Sequence, residues 1–168
     1  QGHIISGLAI NSSSQYVGFF GYVDGASIRN VVFDSSCSVV GSHGSIYVGS
    51  AVGLCEVKSG LPIIDNIVNM GSISFNGTKR ILKDLHIGGI VGGFKGTTGS
   101  SIIRNCVNFG CVELIGASGS INIGGIIGGA DESLSLSVYN CANYGHVSCD
   151  GNGDYLALGG IIGYAQII

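Results

Sequence analysis

The chain has 168 residues, of which 45% are hydrophobic and only 10% are charged, and its formal net charge is −3. This balance excludes intrinsic disorder, and the seven scattered Lys and Arg residues give no electrostatic footprint for nucleic acid. The apolar runs are all shorter than the ~18 residues that a membrane-spanning helix requires.

Four copies of a twelve-residue block recur along the chain. Each copy begins with Asn and ends with Gly, and the copies occupy residues 30–41, 66–77, 105–116 and 140–151. They begin 36, 39 and 35 residues apart, with Gly-rich motifs of the GGIIG type between them. Such a period indicates stacked repeats that bury their apolar faces against each other.

Short apolar runs, rich in Ile and Val and bounded by Gly, Ser, Asn and Asp, predict strands rather than helices. We therefore predict an all-β chain, a parallel β-helix or β-solenoid of about four to five imperfect repeats of ~35–39 residues. We expect residues 1–168 to form a single domain.

The residues around the block Asn predict the register of the stack. The position before it is occupied in turn by Arg29, Asp65, Arg104 and Tyr139. In coils about 4.8 Å apart, Asp65 would lie between two arginines, a favourable charge ladder on a solvated surface. Apolar residues two before and two after the Asn predict two core columns, which are Ile28, Ile64, Ile103 and Val138, and Val32, Val68, Val107 and Ala142.

Asparagines and glycines at fixed positions predict a coil corner. The block Asn residues predict a structural ladder of stacked amides, formed by Asn30, Asn66, Asn105 and Asn140. Asn recurs three places later at Asn69, Asn108 and Asn143, followed by Gly two residues on, but Phe33 breaks this pattern in the first block. The Gly predicts a positive φ or a close backbone approach.

Alternation after the corner predicts a strand with one wet face. Its core columns, seven and nine residues after the block Asn, are Cys37, Ile73, Val112 and Val147, and Val39, Phe75, Leu114 and Cys149. The GGIIG motifs predict a bend or a tightly packed wall. They lack the Lys and the Ser or Thr of a phosphate loop, so nucleotide binding is not expected.

Six cysteines occur without a CxxC pair, which makes a zinc site a weak hypothesis. Cys106 and Cys141 occupy equivalent positions and should stack in adjacent coils, either as a disulfide or as buried free thiols. Asn11 and Asn76 begin N-x-S/T sequons and are candidate glycosylation sites, which favours a secreted protein.

No catalytic, cofactor-binding or metal site is predicted, so we expect no cofactor and no enzyme activity. Most acidic residues fall in different columns of the repeat. Asp131 and Glu132 adjoin in a loop. The sequence D-G-N-G-D at residues 150–154 predicts a turn, because it lacks the spaced ligands and closing Glu of an EF-hand.

The paired motifs resemble a known family. YVGFFGYV after GHIISGLAI, and IGGIVGG, IGGIIGG and LGGIIGY with NCVNFG and NCANYG, resemble the GLUG-type repeats of secreted surface proteins from gut bacteria and from anaerobic or parasitic protists. The resemblance covers nearly the whole chain. It implies a β-solenoid, an extracellular location, and a role in surface architecture or adhesion.

Three functions follow as hypotheses. Both ends of the chain are repeat-like, so we expect a fragment or processed unit that stacks head to tail on itself into an extracellular filament. The alternative is an adhesin that binds a cell-surface or host ligand, with the insertion 77–86 and its Lys79, Arg80 and Lys83 as the first candidate site. A polysaccharide-active enzyme using Asp131 or Asp154 is a distant third.

Overall fold

The computed structural model describes residues 2–44, 46–58, 60–77, 84–96, 99–131 and 135–166. Over these ranges the chain consists of twenty β-strands and contains no helix. The strands are β1 His3–Ile5, β2 Ala9–Ser12, β3 Tyr16–Val17, β4 Phe20–Asp24, β5 Ile28–Phe33, β6 Ser38–Ser42, β7 Tyr47–Gly49, β8 Val52–Val57, β9 Ile63–Asn69, β10 Ser72–Asn76, β11 Leu85–Gly88, β12 Val91–Gly96, β13 Ser100–Arg104, β14 Val107–Asn108, β15 Val112–Gly124, β16 Ile127–Ala130, β17 Ser135–Tyr139, β18 Ala142–Asn143, β19 Val147–Gly159 and β20 Ile162–Ala165.

Three sheets run along the coil axis. Sheet A has the order β1-β5-β9-β13-β17, with β14 and β18 beside it, and sheet C has the order β4-β8-β12-β16-β20. Sheet B contains two strands in each of the first three coils, which merge into the long strands β15 and β19 in the last two. Strand pairs such as β5–β9, β10–β15 and β12–β16 are parallel and in register. The predicted all-β solenoid is confirmed, and each repeat is one coil.

Two hydrophobic cores fill the coils. The first lies between sheets A and C and includes Phe33, Ile67, Phe94 and Ile103, each no more than 1% exposed. The second core lies within sheet B. There β10, before residue 77, faces β11, after it, and the equivalent strand segments of the other coils face each other in the same way. Burial in these cores is what stabilises short strands that could not persist in isolation.

One predicted core column is wrong by one residue. The inward positions directly follow the block Asn and are Val31, Ile67, Cys106 and Cys141, whereas Val32, Val68, Val107 and Ala142 are only half-buried and lie outside the core. The cause is the block Asn itself, which has a positive φ of 53–61° in all four coils. A left-handed residue interrupts the strict two-residue alternation of a strand, and Asn is among the few residues that tolerate it.

The predicted register of the first block is also wrong. Ile73 pairs with Val39, not with Cys37, because the corner at residues 34–37 is longer than the N-x-x-N-x-G corner of the later coils. Cys37 instead belongs to the first core. The D-G-N-G-D segment is not a turn but part of β19, with irregular register against β15 between Ile115 and Ser120.

The corner glycines lie in close backbone contact. They do not have a positive φ, but a Cβ on Gly71 would lie 2.5 Å from the carbonyl oxygen of Cys37. In the described part of the chain, no helix has the length and apolar character needed to span a membrane.

Candidate functional site

The charge ladder lies on the outside of sheet A. Asp65 pairs in register with both Arg29 and Arg104, and Arg104 pairs with Tyr139. One guanidinium nitrogen of Arg104 lies 2.8 Å from an Asp65 carboxylate oxygen, and another donates a 3.0 Å hydrogen bond to the Tyr139 hydroxyl. The Arg104 guanidinium, helped by the Asn105 amide, holds the pKa of Asp65 below its usual range. Asp65, Arg104 and Tyr139 thus pair with each other, while Arg104 Nε is buried without a hydrogen-bond partner among the described residues.

The first asparagines of the blocks form an outer asparagine ladder at the surface. Asn66 donates to Asn30 at 2.9 Å, and Asn140 donates to Asn105 at 3.3 Å. Asn105, however, donates to the carboxylate of Asp65 at 2.8 Å. The outer ladder is therefore interrupted in the middle of the stack, where it joins the charge ladder.

A second, inner asparagine ladder is continuous and more buried. It consists of Asn69, Asn108 and Asn143, of which the first two are no more than 1% exposed. The Nδ2 of Asn69 donates to Oδ1 of Asn108 at 2.7 Å, and that of Asn108 donates to Asn143 at 2.9 Å. Each amide also bonds both the N–H and the C=O of the Gly two residues later. The amides thus satisfy backbone groups that the corner would otherwise bury unpaired.

The inner ladder packs against a glycine column from the GGIIG motifs. A Cβ on Gly89 would lie 2.7 Å from Cγ of Asn108 in the following coil, and one on Gly125 would meet Asn143 in the same way. In the final coil, a Cβ on Gly160 would have no neighbour within 4 Å. The two repeated motifs therefore contact each other between coils, which sequence spacing alone does not reveal.

Cys106 and Cys141 lie one above the other in the first core as free thiols. Cys106 is fully buried, whereas Cys141 is partly exposed. A hydrogen bond between the two thiols lowers the pKa of Cys141 from its ordinary value, because the Cys106 thiol stabilises the Cys141 thiolate. Both cysteines are free thiols in this structure, and the alternative of a disulfide between them stays a prediction.

The remaining predicted positions are the sequon asparagines, the basic insertion and the acidic candidates. Asn11 on β2 and Asn76 at the end of β10 are both exposed, and their glycosylation stays a prediction. Lys79, Arg80, Lys83 and Glu132 lie outside the described residues. Asp154 belongs to β19, and Asp131 directly follows β16. Within the described ranges, no group of three or more His, Cys, Asp or Glu side chains could hold a metal ion.

A lateral groove, not predicted from the sequence, runs along the side of sheets B and C. It consists of two depressions of about 260 and 340 Å³ that share Asp84, His86 and Asp131. Its floor is a column of side chains from successive coils, in which Tyr16 pairs with Tyr47, Tyr47 with His86, and His86 with Asn122. The rim includes Lys95, Ser120 and Gln166.

Stacked rings and burial shape the middle of the lateral groove. The Tyr47 and His86 rings lie 4.9 Å apart and nearly parallel. Burial lowers the pKa of His86 to about 4, so the imidazole is neutral at physiological pH, and burial raises the pKa of Tyr47 to about 12. The Oδ1 atom of Asn122 is buried without a hydrogen-bond partner among the described residues, although Nδ2 of the same amide contacts His86 Nδ1 at 3.4 Å.

Tyr155 and Tyr164 line one end of the groove, and Tyr16 lines the other end, where it packs beside Tyr22. The Tyr22 hydroxyl donates to Glu56 and accepts from Lys58. Tyr16 and Tyr22 have ring centroids 5.5 Å apart, and Tyr155 and Tyr164 have theirs 6.2 Å apart. Tyr22 is 41% exposed and Tyr155 is 51% exposed. The aligned blocks gave no indication of this surface, because most of its residues come from the strands between blocks and differ in type from coil to coil.

Comparison with known proteins identifies the fold. The chain resembles a crystal structure from Bacteroides ovatus, provisionally described as an immunoglobulin A1 protease, with a TM-score of 0.61 and 20% sequence identity. The match covers 98% of this chain but 57% of that one, so this chain spans little more than half of that protein's length. No protein-family model and no curated protein matches the chain, so the resemblance to GLUG-type repeats is not confirmed. The likeness defines a β-solenoid and does not extend to an activity.

Proposed function

We propose that this chain is a structural, non-enzymatic β-solenoid of an extracellular surface, and that it stacks end to end with further copies of itself into a filament. The observation that supports this is the exposed apolar face of the last described coil, residues 135–166. Leu156 and Leu158 continue the columns of Ile121 and Ile123, which are fully buried one coil earlier, yet they are 44% and 46% exposed. Exposed in-register strands and apolar columns are a template for another coil.

The glycine column indicates where that next coil would lie. Gly89 and Gly125 are each covered by the coil that follows them, and Gly160 occupies the same position without a cover. A second copy stacked on this face would approach Gly160 as closely as the following coils approach Gly89 and Gly125. A head-to-tail contact that does not close on itself produces an open filament.

Assembly of the purified chain tests the proposal. We expect negative-stain electron microscopy and analytical ultracentrifugation to show thin rods whose length increases with protein concentration. Gly160→Val should abolish the rods and leave a folded monomer, because its side chain occupies the space that the next coil needs. Glu113→Val, which places the same side chain on the exposed lateral face of β15, is the control and should still assemble. Monomers of the unaltered chain at high concentration, or rods of the Gly160→Val variant, would contradict end-to-end stacking.

Ligand recognition at the side of the solenoid is a second candidate function, which the lateral groove favours. Asp84 and His86, on its rim and floor, directly follow the basic insertion that includes Lys79, Arg80 and Lys83. As an adhesin, the chain would lose attachment to host cells when these three residues are replaced by Ala, while any filament would persist. Attachment that survives the triple replacement would exclude the insertion as the binding element.

A further inference from the structure

The lateral groove has the chemistry of a sugar-binding site. We propose that it binds a neutral oligosaccharide, with sugar rings against the tyrosine pairs at its ends and hydroxyl groups bonded to Asp84 and Asp131 between them. This inference rests on the second candidate function and does not require the filament.

The tyrosine pairs supply flat apolar surfaces that also bear hydroxyl groups. Tyr155 and Tyr164 meet at an interplanar angle of 89°, so that two differently oriented ring faces border the same end of the groove. A pyranose ring has an apolar C–H face and a polar edge. Aromatic rings with a hydroxyl at one end suit such a ligand better than they suit a wholly apolar one.

The middle of the groove supplies hydrogen-bonding groups. The carboxylates of Asp84 and Asp131 can each accept from sugar hydroxyls, and Lys95, Ser120 and Gln166 can donate. Asn122 is 2% exposed, and the lack of a donor for its buried Oδ1 is unusual in a folded protein. A ligand hydroxyl at this point of the floor would provide the missing partner.

Charge argues against an anionic ligand. Among the described residues that line the two depressions, Lys95 is the one cationic side chain beside Asp84 and Asp131. Lys58, at the Tyr22 end of the groove, is itself paired with Glu56 and Asp24. Burial also keeps the His86 imidazole neutral, so it adds no positive charge. An acidic saccharide would meet repulsion from two carboxylates, which makes a neutral one the better match.

The length of the groove favours an oligosaccharide over a single sugar. Tyr16 and Tyr155 lie in the first and fifth coils, so at about 4.8 Å for each step they are roughly 19 Å apart along the axis. An extended chain of several sugar rings can reach both tyrosine pairs. A monosaccharide could contact only one pair and would bind more weakly.

Titration calorimetry with defined tetrasaccharides tests the proposal. We would compare cellotetraose, maltotetraose and tetra-N-acetylchitotetraose with tetragalacturonate and a tetralysine peptide. We expect at least one neutral tetrasaccharide to bind and to outcompete the corresponding monosaccharide. Tyr155→Ala and Asp84→Asn should each weaken binding about tenfold, equivalent to the loss of ~1.4 kcal/mol. Tyr144→Ala, a residue 72% exposed and outside the groove, and Glu113→Gln are the matched controls and should bind normally.

Circular dichroism of each variant ensures that lost binding is not lost folding. Preferred binding of tetragalacturonate or tetralysine, or no binding of any neutral tetrasaccharide, would overturn the proposal. Neutral-sugar binding that both groove variants retain would also overturn it. If the Lys79, Arg80 and Lys83 triple variant loses cell attachment while the groove variants keep it, adhesion stands and the groove proposal fails.

Discussion

Replacing Asn108 tests whether the inner asparagine ladder stabilises the stack. This buried amide takes part in four hydrogen bonds, with Asn69, Asn143 and both backbone groups of Gly110. At a net contribution of about 1 kcal/mol for each bond, Asn108→Ala should lower the free energy of unfolding by about 4 kcal/mol. Half of this cost arises because the N–H and C=O of buried Gly110 lose their side-chain partner.

Asn108→Asp keeps the shape of the side chain but replaces the donating Nδ2 amide group with an oxygen that accepts hydrogen bonds. The new carboxylate oxygen would face two acceptors, the Gly110 carbonyl and the Asn143 Oδ1, which now accept from the amide. Burial and these acceptors should raise the pKa of the new Asp in the folded state. The variant should therefore be least stable at neutral pH, and should regain stability relative to the unaltered chain as the pH falls through this raised pKa toward ~3.9.

Urea unfolding followed by circular dichroism, together with hydrogen exchange at the Gly110 amide, measures these effects. Asn76→Asp, at an exposed position, is the control and should change stability by no more than about 0.5 kcal/mol. A loss of less than about 1 kcal/mol in Asn108→Ala, with Gly110 exchange unchanged, would refute the argument that the inner ladder stabilises the stack.

Three further predictions concern the glycine column, His86 and the thiol pair. Gly125→Ala should destabilise the monomer by about 3 kcal/mol or more in thermal unfolding, because its Cβ would overlap the next coil. Gly160→Ala should not destabilise the monomer, and equal effects of the two substitutions would contradict this packing. The pKa of His86 is 6.5 in the unfolded chain and about 4 in the folded one, so between these pH values only the unfolded state binds the proton. The free energy of unfolding should therefore decline by up to about 3 kcal/mol as the pH falls from 6.5 to 4. His86→Asn, which copies Asn122 of the next coil, should remove this component, and an unchanged pH profile would disprove it. Iodoacetamide should label exposed Cys111 first and then Cys141 before Cys106, as followed by peptide mass spectrometry; labelling of Cys106 before Cys141 would contradict the assigned hydrogen bond.

The sequence predicts the solenoid and most of the register of blocks two to four, because equal spacing and apolar alternation depend only on local geometry. Ile73 pairs with Val112 and Val112 with Val147, as the alignment predicts. The first block, which lies in the second coil, departs from the alignment because its corner spans Asp34, Ser35 and Ser36. There the Ser36 backbone N–H donates to the Asp34 carboxylate, and the Cys37 N–H donates to the Asp34 carbonyl, in a longer turn. Spacing from the block Asn cannot register that extra length.

Backbone conformation explains the other errors. The alignment cannot show that the block Asn has a positive φ, and this changes which of the two following residues points inward.

The lateral groove was missed for a different reason. Its floor is Tyr in two coils, His in the third and Asn in the fourth, so no repeated residue type marks it. Only the three-dimensional stacking of unlike residues brings it together.

The contact between the inner asparagine ladder and the glycine column explains why the two motifs occur together. Gly89 and Gly125 leave no room for a Cβ, because the carbonyl oxygen of the next Gly in the column and the Asn amide of the following coil both lie within 3 Å of it. Where Phe33 replaces that Asn, the preceding coil has Phe19 in place of the Gly, and their rings pack edge to face 5.7 Å apart. In the second coil Ser50 takes the Gly position and donates a hydrogen bond to the Gly89 carbonyl at 2.7 Å. The motif partners therefore belong to different coils, so what the repeated residues specify is the stacking of one coil on the next. This is why a solenoid with such motifs leaves unsatisfied contacts at an uncovered coil, and why Gly160 is the position at which a change should separate folding of the monomer from assembly.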